Sequence, residues 1–259
     1  MNRTDSNKST TALRALRVLE ILGSSRWPVP VGAVAEGIGA DRSTAYRMLM
    51  TLMEAGYVAR DAASRNYRLS YKIVSLTKWL LAADDASESI MACLRDISAQ
   101  TGETAHYSVL DGDETVLVFR AKGTQLVNVD FQIGDRAALH CTSIGKVFLA
   151  FEDVRLVDRI AKNGLPKRAR RTITDPDRLR AEVQRVRRQG FAFDDFEFAD
   201  DMRCVAVPVF GKNGALVGGI SLSGPSSRYS QAKLEELRDC ALVAARNLSE
   251  RLGHTIEAG

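Results

Sequence analysis

The sequence predicts an α+β protein in two parts: a small helical domain closed by a β-hairpin, then a larger domain of antiparallel strands and helices. Three observations carry this. Apolar residues recur at three-to-four spacing in short segments through about the first 55 positions, and in short strand-like runs from Thr104 onward. Turns rich in Gly, Pro and Asp separate those segments. Positive charge also gathers at one end: residues 1–70 hold ten Lys/Arg against six Asp/Glu, while the remaining 189 residues hold 26 of each.

At 259 residues, 45% apolar and 26% charged, the composition is that of a folded soluble protein with room for two ordinary domains. No run of about 18 apolar residues occurs, and the start MNRTDSNKSTT has no apolar secretory core. A cytoplasmic protein with no membrane partner is therefore expected. Cys93, Cys141, Cys204 and Cys240 form no CxxC pair and lie in apolar settings, which suits buried, reduced thiols. His106, His140 and His254 are equally scattered, so neither a metal site nor a cofactor is expected.

In the first segment Ala15, Val18, Leu19 and Leu22 make one face of a helix that ends near Gly23-Ser24-Ser25. Trp27-Pro28-Val29-Pro30 is a connector, because proline lacks an amide donor and biases its predecessor away from helix. Val31, Val34, Ala35 and Ile38 line a second, short helix, after which Gly37 and Gly39 allow a tight turn. Asp41 is placed to cap a third helix with Ala45, Met48, Leu49 and Leu52 on its buried face. That helix stops at Ala55-Gly56. Two short strands, about Tyr57–Arg60 and Asn66–Leu69, flank the polar turn Asp61–Arg65.

Helix, helix, Gly-containing turn, helix and hairpin is the order of a winged helix-turn-helix. The exposed start of the third helix carries Arg42, Ser43, Tyr46 and Arg47, with Thr44 at the margin. A helix fits the roughly 12 Å major groove, and its N-terminal side chains reach base edges and phosphates. Arg65 and Arg68 on the wing would reach the flanking backbone. The local basic excess agrees with double-stranded DNA as the partner. A generic three-helix bundle would explain the apolar stripes, but not the short second helix, the Arg/Ser/Thr/Tyr face or the hairpin.

From Tyr71 to about Ala83 the pattern is helical, with Ile73, Leu76, Leu80 and Leu81 apolar and Trp79 adding surface. A further helix is expected over Ser87–Gln100, with Ile90, Met91, Leu94 and Ile97 on one face. An apolar linking helix between a small DNA-binding domain and a larger one suggests a homodimer. Paired half-sites would then lie about one helical turn apart. The division expected is residues 1–70 for the winged helix-turn-helix, 71–100 for linking helices and 101–259 for a ligand-binding domain.

Beyond Thr104, strands are predicted over Thr104–Leu110, Thr115–Ala121, Leu126–Phe131, Arg203–Phe210 and Ala215–Leu222. Helices are predicted over Ser143–Phe151, Pro176–Gln189 and about Gln231–Leu252. Antiparallel strands with helices against one face give an α+β domain. The basic run Lys167–Arg171 reads as a solvated loop.

The stretches ALRVLEIL, DRSTAYRMLMTLMEAGYV, LHCTSIGKVFLA, FDDFEF and RCVAVPVFGKNGALVGGISLSGP, in that order, resemble the IclR family of bacterial transcriptional regulators. The likeness spans roughly Thr11 to Leu252. It implies a GAF-like α+β effector domain behind the winged helix-turn-helix, dimers that often pair into tetramers, and a small-molecule effector. The effector pocket it implies holds Ser143, Ile144, Asp194, Cys204, Ser221 and Ser223, with Leu126, Val129 and Ala137 as an apolar wall. Ser221 and Ser223 fall on one side of a strand, where their hydroxyls and the amides opening the Ser143 helix suit a carboxylate. The expected effector is a small organic acid, aromatic or short-chain, and the expected action repression. The chain departs from the family pattern at Ile144, where a small residue is common, and at Phe196, where a second acidic residue is usual.

The alternative class is an enzyme with a cysteine nucleophile. Cys141-Thr142-Ser143-Ile144-Gly145 lacks the leading glycine of a nucleophile elbow, and no P-loop or dinucleotide fingerprint occurs. Non-catalytic buried cysteine is the expectation for Cys141 and Cys204.

Overall fold

The computed structural model describes residues 8–77 and 85–255, which fall into two compact units divided between residues 82 and 83. The first unit contains α1 (Thr10–Gly23), α2 (Val31–Gly37), α3 (Arg42–Glu54), β1 (Val58–Arg60), β2 (Tyr67–Leu69) and α4 (Lys72–Thr77). Val18, Leu22, Val34, Ala35, Ala45, Leu49, Leu52, Val58 and Tyr67 form its core, so the apolar stripes face one another as their spacing requires. Asp41 caps α3 by accepting the Thr44 amide at 2.9 Å. The wing is a two-stranded antiparallel ladder, and Val29 bridges to its inner strand at Tyr67. The two glycines expected in the α2–α3 turn have separate reasons. Gly39 has φ +60 and makes the turn, whereas a β-carbon on helical Gly37 would lie 2.6 Å from Ile21 Cδ1. Gly37 therefore gives the Ile21 side chain of α1 room to approach.

The predicted linking region is divided. α4 belongs to the first unit, and Lys72 Nζ donates to the Ala55 carbonyl at 2.7 Å, closing the C-terminal end of α3, while lying 4.7 Å from the Tyr57 ring centre. Lys78, Trp79, Leu80 and Leu81 lie outside the described residues. α5 (Asp85–Thr101) is part of the second unit.

The second unit is built on a six-stranded antiparallel sheet of order β5-β4-β3-β8-β7-β6. Its strands are β3 (Thr104–Asp111), β4 (Glu114–Ala121), β5 (Arg136–Ala138), β6 (Ala192–Asp195), β7 (Met202–Phe210) and β8 (Leu216–Pro225). Its other helices are α6 (Ser143–Phe151), α7 (Val154–Asn163), α8 (Pro176–Gln189) and α9 (Gln231–Arg251). Helices cover both faces, not one. Ala105, Tyr107, Val205, Val207, Ile220 and Leu222 point to α5 and α9, while Ala192 and Ala206 point to the core of α6, α7 and α8. The central strands β7 and β8 are accordingly buried on both sides.

The strand expected over Leu126–Phe131 is absent. Residues 122–135 form a loop, and the edge of β4 pairs instead with β5, Glu114 opposite Ala138 and Val116 opposite Arg136. The basic run Lys167–Arg171 is a loop with its Lys and Arg residues exposed, as expected, and Arg170 and Arg171 find partners. The Arg170 amide donates to Asp200, and the Arg170, Arg171 and Arg203 guanidinium groups gather over Phe196 at 3.8, 5.9 and 5.5 Å from the ring centre.

Candidate functional site

The exposed start of α3 presents Arg42, Ser43, Tyr46 and Arg47 to solvent. Thr44 is half-buried, and its hydroxyl donates to Asp41 Oδ2 at 2.8 Å, so it orders the helix start. Arg42 lies beside Gly32 of α2, where a β-carbon would sit 3.3 Å from its Nη2. At the wing tip Asp61 accepts from the Ser64 amide and hydroxyl at 2.8 and 2.7 Å. Arg65 adopts φ +61, and its carbonyl accepts from Arg60 Nε at 2.8 Å. The side chains of Arg65 and Arg68 are exposed. The unit thus offers a cationic helix start and a cationic hairpin tip.

The second unit holds a cavity of about 230 Å³ between the sheet, the start of α6 and the 122–135 loop. Strand register explains its floor. Asp194 of β6 lies opposite Cys204 of β7, which lies opposite Ser223 of β8. In the next row on the same face, Ala206 of β7 is opposite Ser221 of β8, and Ser221 is opposite His106 of β3. Ser143, Ile144, Asp194, Cys204, Ser221, Ser223 and Ala137 all line the cavity. Thr142 caps α6 by accepting the Gly145 amide at 3.1 Å, which leaves the preceding amides of the helix start without an intrahelical partner. Phe131 and Phe198 form an aromatic wall, with ring centres 5.9 Å apart, and Phe131 meets the edge of His106 at 5.8 Å.

Two of the expected wall residues are elsewhere. Leu126 is fully exposed and Val129 is half-buried outside the cavity, because the segment carrying them is a loop and not a strand. Phe131 and Leu117 stand in their place. His106, Ser108 and Phe198 also line the cavity and are not among the predicted residues. The signal for the first two was the alternation in β3, where Thr104, His106 and Ser108 share one face and Ala105 and Tyr107 the other. Of the two departures from the family pattern, Ile144 lines the cavity and Phe196 does not.

Asp194 is fully buried, accepts the Glu197 and Phe198 amides at Oδ1 (2.8 and 3.3 Å), and has no partner at Oδ2. Burial, then the Glu197 charge, push its pKa up to about 7 against the pull of those amides and Lys146. Burial and the Arg120 charge push His106 down to about 4, and the Ser221 backbone opposes this only weakly. Behind Asp194, Lys146 is buried between Glu197 (2.5 Å) and Glu182 (3.1 Å). Burial alone would lower the Lys146 pKa, but the two carboxylates raise it above its ordinary value.

Burial disfavours the thiolate at Cys141 and Cys204. Cys141 is buried with its thiol pushed up to about 12, and burial raises Cys204 well above its ordinary value. His140, three residues before α6 in a turn, places Nε2 3.0 Å from the Pro166 carbonyl. Among the described residues no cluster of His, Cys, Asp and Glu could hold a metal ion, and no helix is long and apolar enough to cross a membrane.

A cationic winged helix-turn-helix joined to an α+β domain with a mainly apolar cavity that carries a few polar side chains defines a DNA-binding protein with a ligand-binding unit. Residues 11–62 match the IclR helix-turn-helix domain, and residues 79–250 match the bacterial transcriptional regulator IclR C-terminal domain. The chain belongs to the IclR family of bacterial transcriptional regulators. It is similar to the HTH-type transcriptional regulator KdgR of Escherichia coli (strain K12), 33% identical over 246 residues that cover 95% of this chain and 93% of that one. It also resembles the IclR of Thermotoga maritima, with a TM-score of 0.77 and 30% identity over 94% of this chain and 99% of that one. An IclR homologue from Microbacterium hydrocarbonoxydans, complexed with 4-hydroxybenzoate, shares the fold at a TM-score of 0.76 and 20% identity, over 93% of this chain and 99% of that one.

Proposed function

We propose that this regulator is a cytoplasmic repressor, without catalytic activity, whose hold on operator DNA is set by a small organic acid in the cavity of its second unit. Arg42, Ser43, Tyr46 and Arg47 enter the major groove on α3, Thr44 orders them, and Arg65 and Arg68 grip the flanking backbone. Ser143, Ile144, Asp194, Cys204, Ser221, Ser223 and Ala137 enclose the effector. The observation that carries this reading is the cavity itself: Ser221 and Ser223 on its floor line one space with Ser143 at the start of α6, an arrangement suited to a carboxylate. The acid bound in the Microbacterium homologue is an aromatic carboxylate of this kind.

The protein works as a homodimer, and two dimers pair in the tetramer. Exposed Leu13 and Leu16 on α1, and Tyr71, Val74 and Leu76 on or beside α4, supply apolar surface for the first contact. Sedimentation equilibrium on wild type and Leu76→Glu checks this, with dissociation expected for the variant.

The central experiment measures affinity for fragments of the upstream promoter by fluorescence anisotropy, with and without 4-hydroxybenzoate and short-chain acids. An effector weakens DNA binding, and by linkage DNA weakens effector binding by the same factor. Salt-independent or absent DNA binding would overturn the regulator reading. Calorimetry that finds only neutral ligands would overturn the organic-acid reading.

A further inference from the structure

Three features of the cavity concern what the effector carries besides its carboxylate. His106 is 2% exposed and lines the cavity, yet neither ring nitrogen makes a hydrogen bond. Asp194 is 0% exposed, lines the same cavity, and keeps Oδ2 unpaired. The two stand three strands apart, on β3 and β6, or about 14 Å along the sheet at ordinary strand spacing. Ser221 and Ser223 of β8 lie between them.

A buried donor or acceptor without a partner is unfavourable, so these atoms define what a ligand must supply. Neutral imidazole offers one donor and one acceptor. A carboxylate only accepts, so it can meet the imidazole N–H but leaves the other ring nitrogen unpaired. Beside an ionised Asp194 it would also be repelled. The uncapped amides of α6 are the better seat for the anion, since they only donate and the helix dipole favours negative charge there. What remains at His106 and Asp194 calls for a group that donates.

We infer that His106 determines specificity by reading a hydroxyl on the effector, with Asp194 as a second reader at the far end of the cavity, so that the ligand is a hydroxylated carboxylate and not a plain hydrocarbon acid. This rests on the effector reading above and narrows it. A hydroxyl both donates and accepts, so it can meet either ring nitrogen of His106 or the free oxygen of Asp194. Phe131 holds the imidazole by its edge, and Arg120 holds the Phe131 carbonyl, so the reader is fixed before the ligand arrives. The sequence signal is slight, a single histidine on the polar face of β3.

The test is calorimetry on the full-length protein with matched probes: benzoate against 3- and 4-hydroxybenzoate, and hexanoate against 6-hydroxyhexanoate. In at least one set a hydroxylated member should bind about tenfold tighter than its parent or better, the size of one well-made hydrogen bond. His106→Phe should narrow that ratio to within about twofold, while His106→Gln, which still donates and accepts, should keep part of it. Asp194→Ala removes the free oxygen and leaves nothing there for a hydroxyl to meet, so it should shift preference toward the parent acid. Thermal unfolding monitors each variant, and should His106→Phe not fold, the other two carry the test. Parent acids that bind as tightly as their hydroxylated partners would overturn the inference and leave the organic-acid reading standing. A hydroxyl preference untouched by the substitutions would also overturn it. Binding by no probe in either series would remove the carboxylate reading and this inference with it.

Discussion

Ile144 fills space that only Gly219 leaves open. A β-carbon on Gly219 would lie 2.4 Å from Ile144 Cδ1 and 2.9 Å from the Val207 carbonyl oxygen. The larger side chain at the start of α6 and the missing one on β8 are therefore one fitted pair, and together they set the depth of the cavity at that corner.

Ile144→Ala should deepen the cavity and admit a bulkier acid, at a stability cost of about 2–4 kcal/mol for a buried isoleucine. Gly219→Ala should cost about 1–3 kcal/mol by overpacking, since one of its neighbours is backbone. The double variant should be less destabilised than the sum of the singles, because removing Ile144 relieves the side-chain clash. Urea unfolding of all four proteins measures the coupling.

Asp194 makes stability depend on pH. Its folded pKa is raised to about 7 from an ordinary 3.8, so its contribution is fully present below the unfolded value and is lost as pH rises through the folded one. Asp194→Asn does not titrate. Relative to wild type, the variant should gain about 2–3 kcal/mol in unfolding free energy between about pH 5 and about pH 8, at roughly 1.4 kcal/mol per pH unit below the folded pKa. A flat difference across that window would refute the assignment.

Lys146 pairs with buried Glu197 and half-buried Glu182. Lys146→Met would leave buried Glu197 without its cation and Glu182 with Arg185 alone, and should cost about 3–5 kcal/mol. Adding Glu197→Gln should recover part of that loss, which chemical denaturation would show.

Arg47→Ala should weaken DNA binding and lower the slope of log affinity against log salt by about one if the guanidinium meets a phosphate. A variant that loses affinity mainly for one promoter sequence, with its salt slope unchanged, would place Arg47 on a base edge instead.

The parts legible in the sequence are those where local chemistry and tertiary packing ask for the same thing. α6 and α8 run over Ser143–Phe151 and Pro176–Gln189 as read, because Thr142 and Asp175 cap them and Gly190 ends α8 in a left-handed turn. α3 begins behind Asp41 for the same reason. The segment 126–131 misled because Leu126, Val127, Val129 and Phe131 look like strand residues, while pairing depends on which segment reaches the edge of β4. α7 went unread although Asp153 and the stripe Leu156, Val157 and Ile160 signal it. β6, inside the FDDFEF block, was read only as a site motif, and its pairing with β7 is long-range information. In the cavity, the motif-borne residues were legible. His106 and Phe198 were not, the latter although it closes the FDDFEF block, since only the assembled sheet and the turn after β6 bring them together.

Lys72 opens α4 with its backbone and fastens the far end of α3 with its ammonium group. The chain leaving the DNA-binding unit is thus pinned to the helix that meets the groove, and the Ser70 hydroxyl, donating to the Gly56 carbonyl, shortens the path further. On the proposed function, a turn imposed on the end of α4 would then rotate that unit as a rigid key without bending its teeth. Induction should then alter the distance and angle between paired keys while base preference within each half-site stays the same.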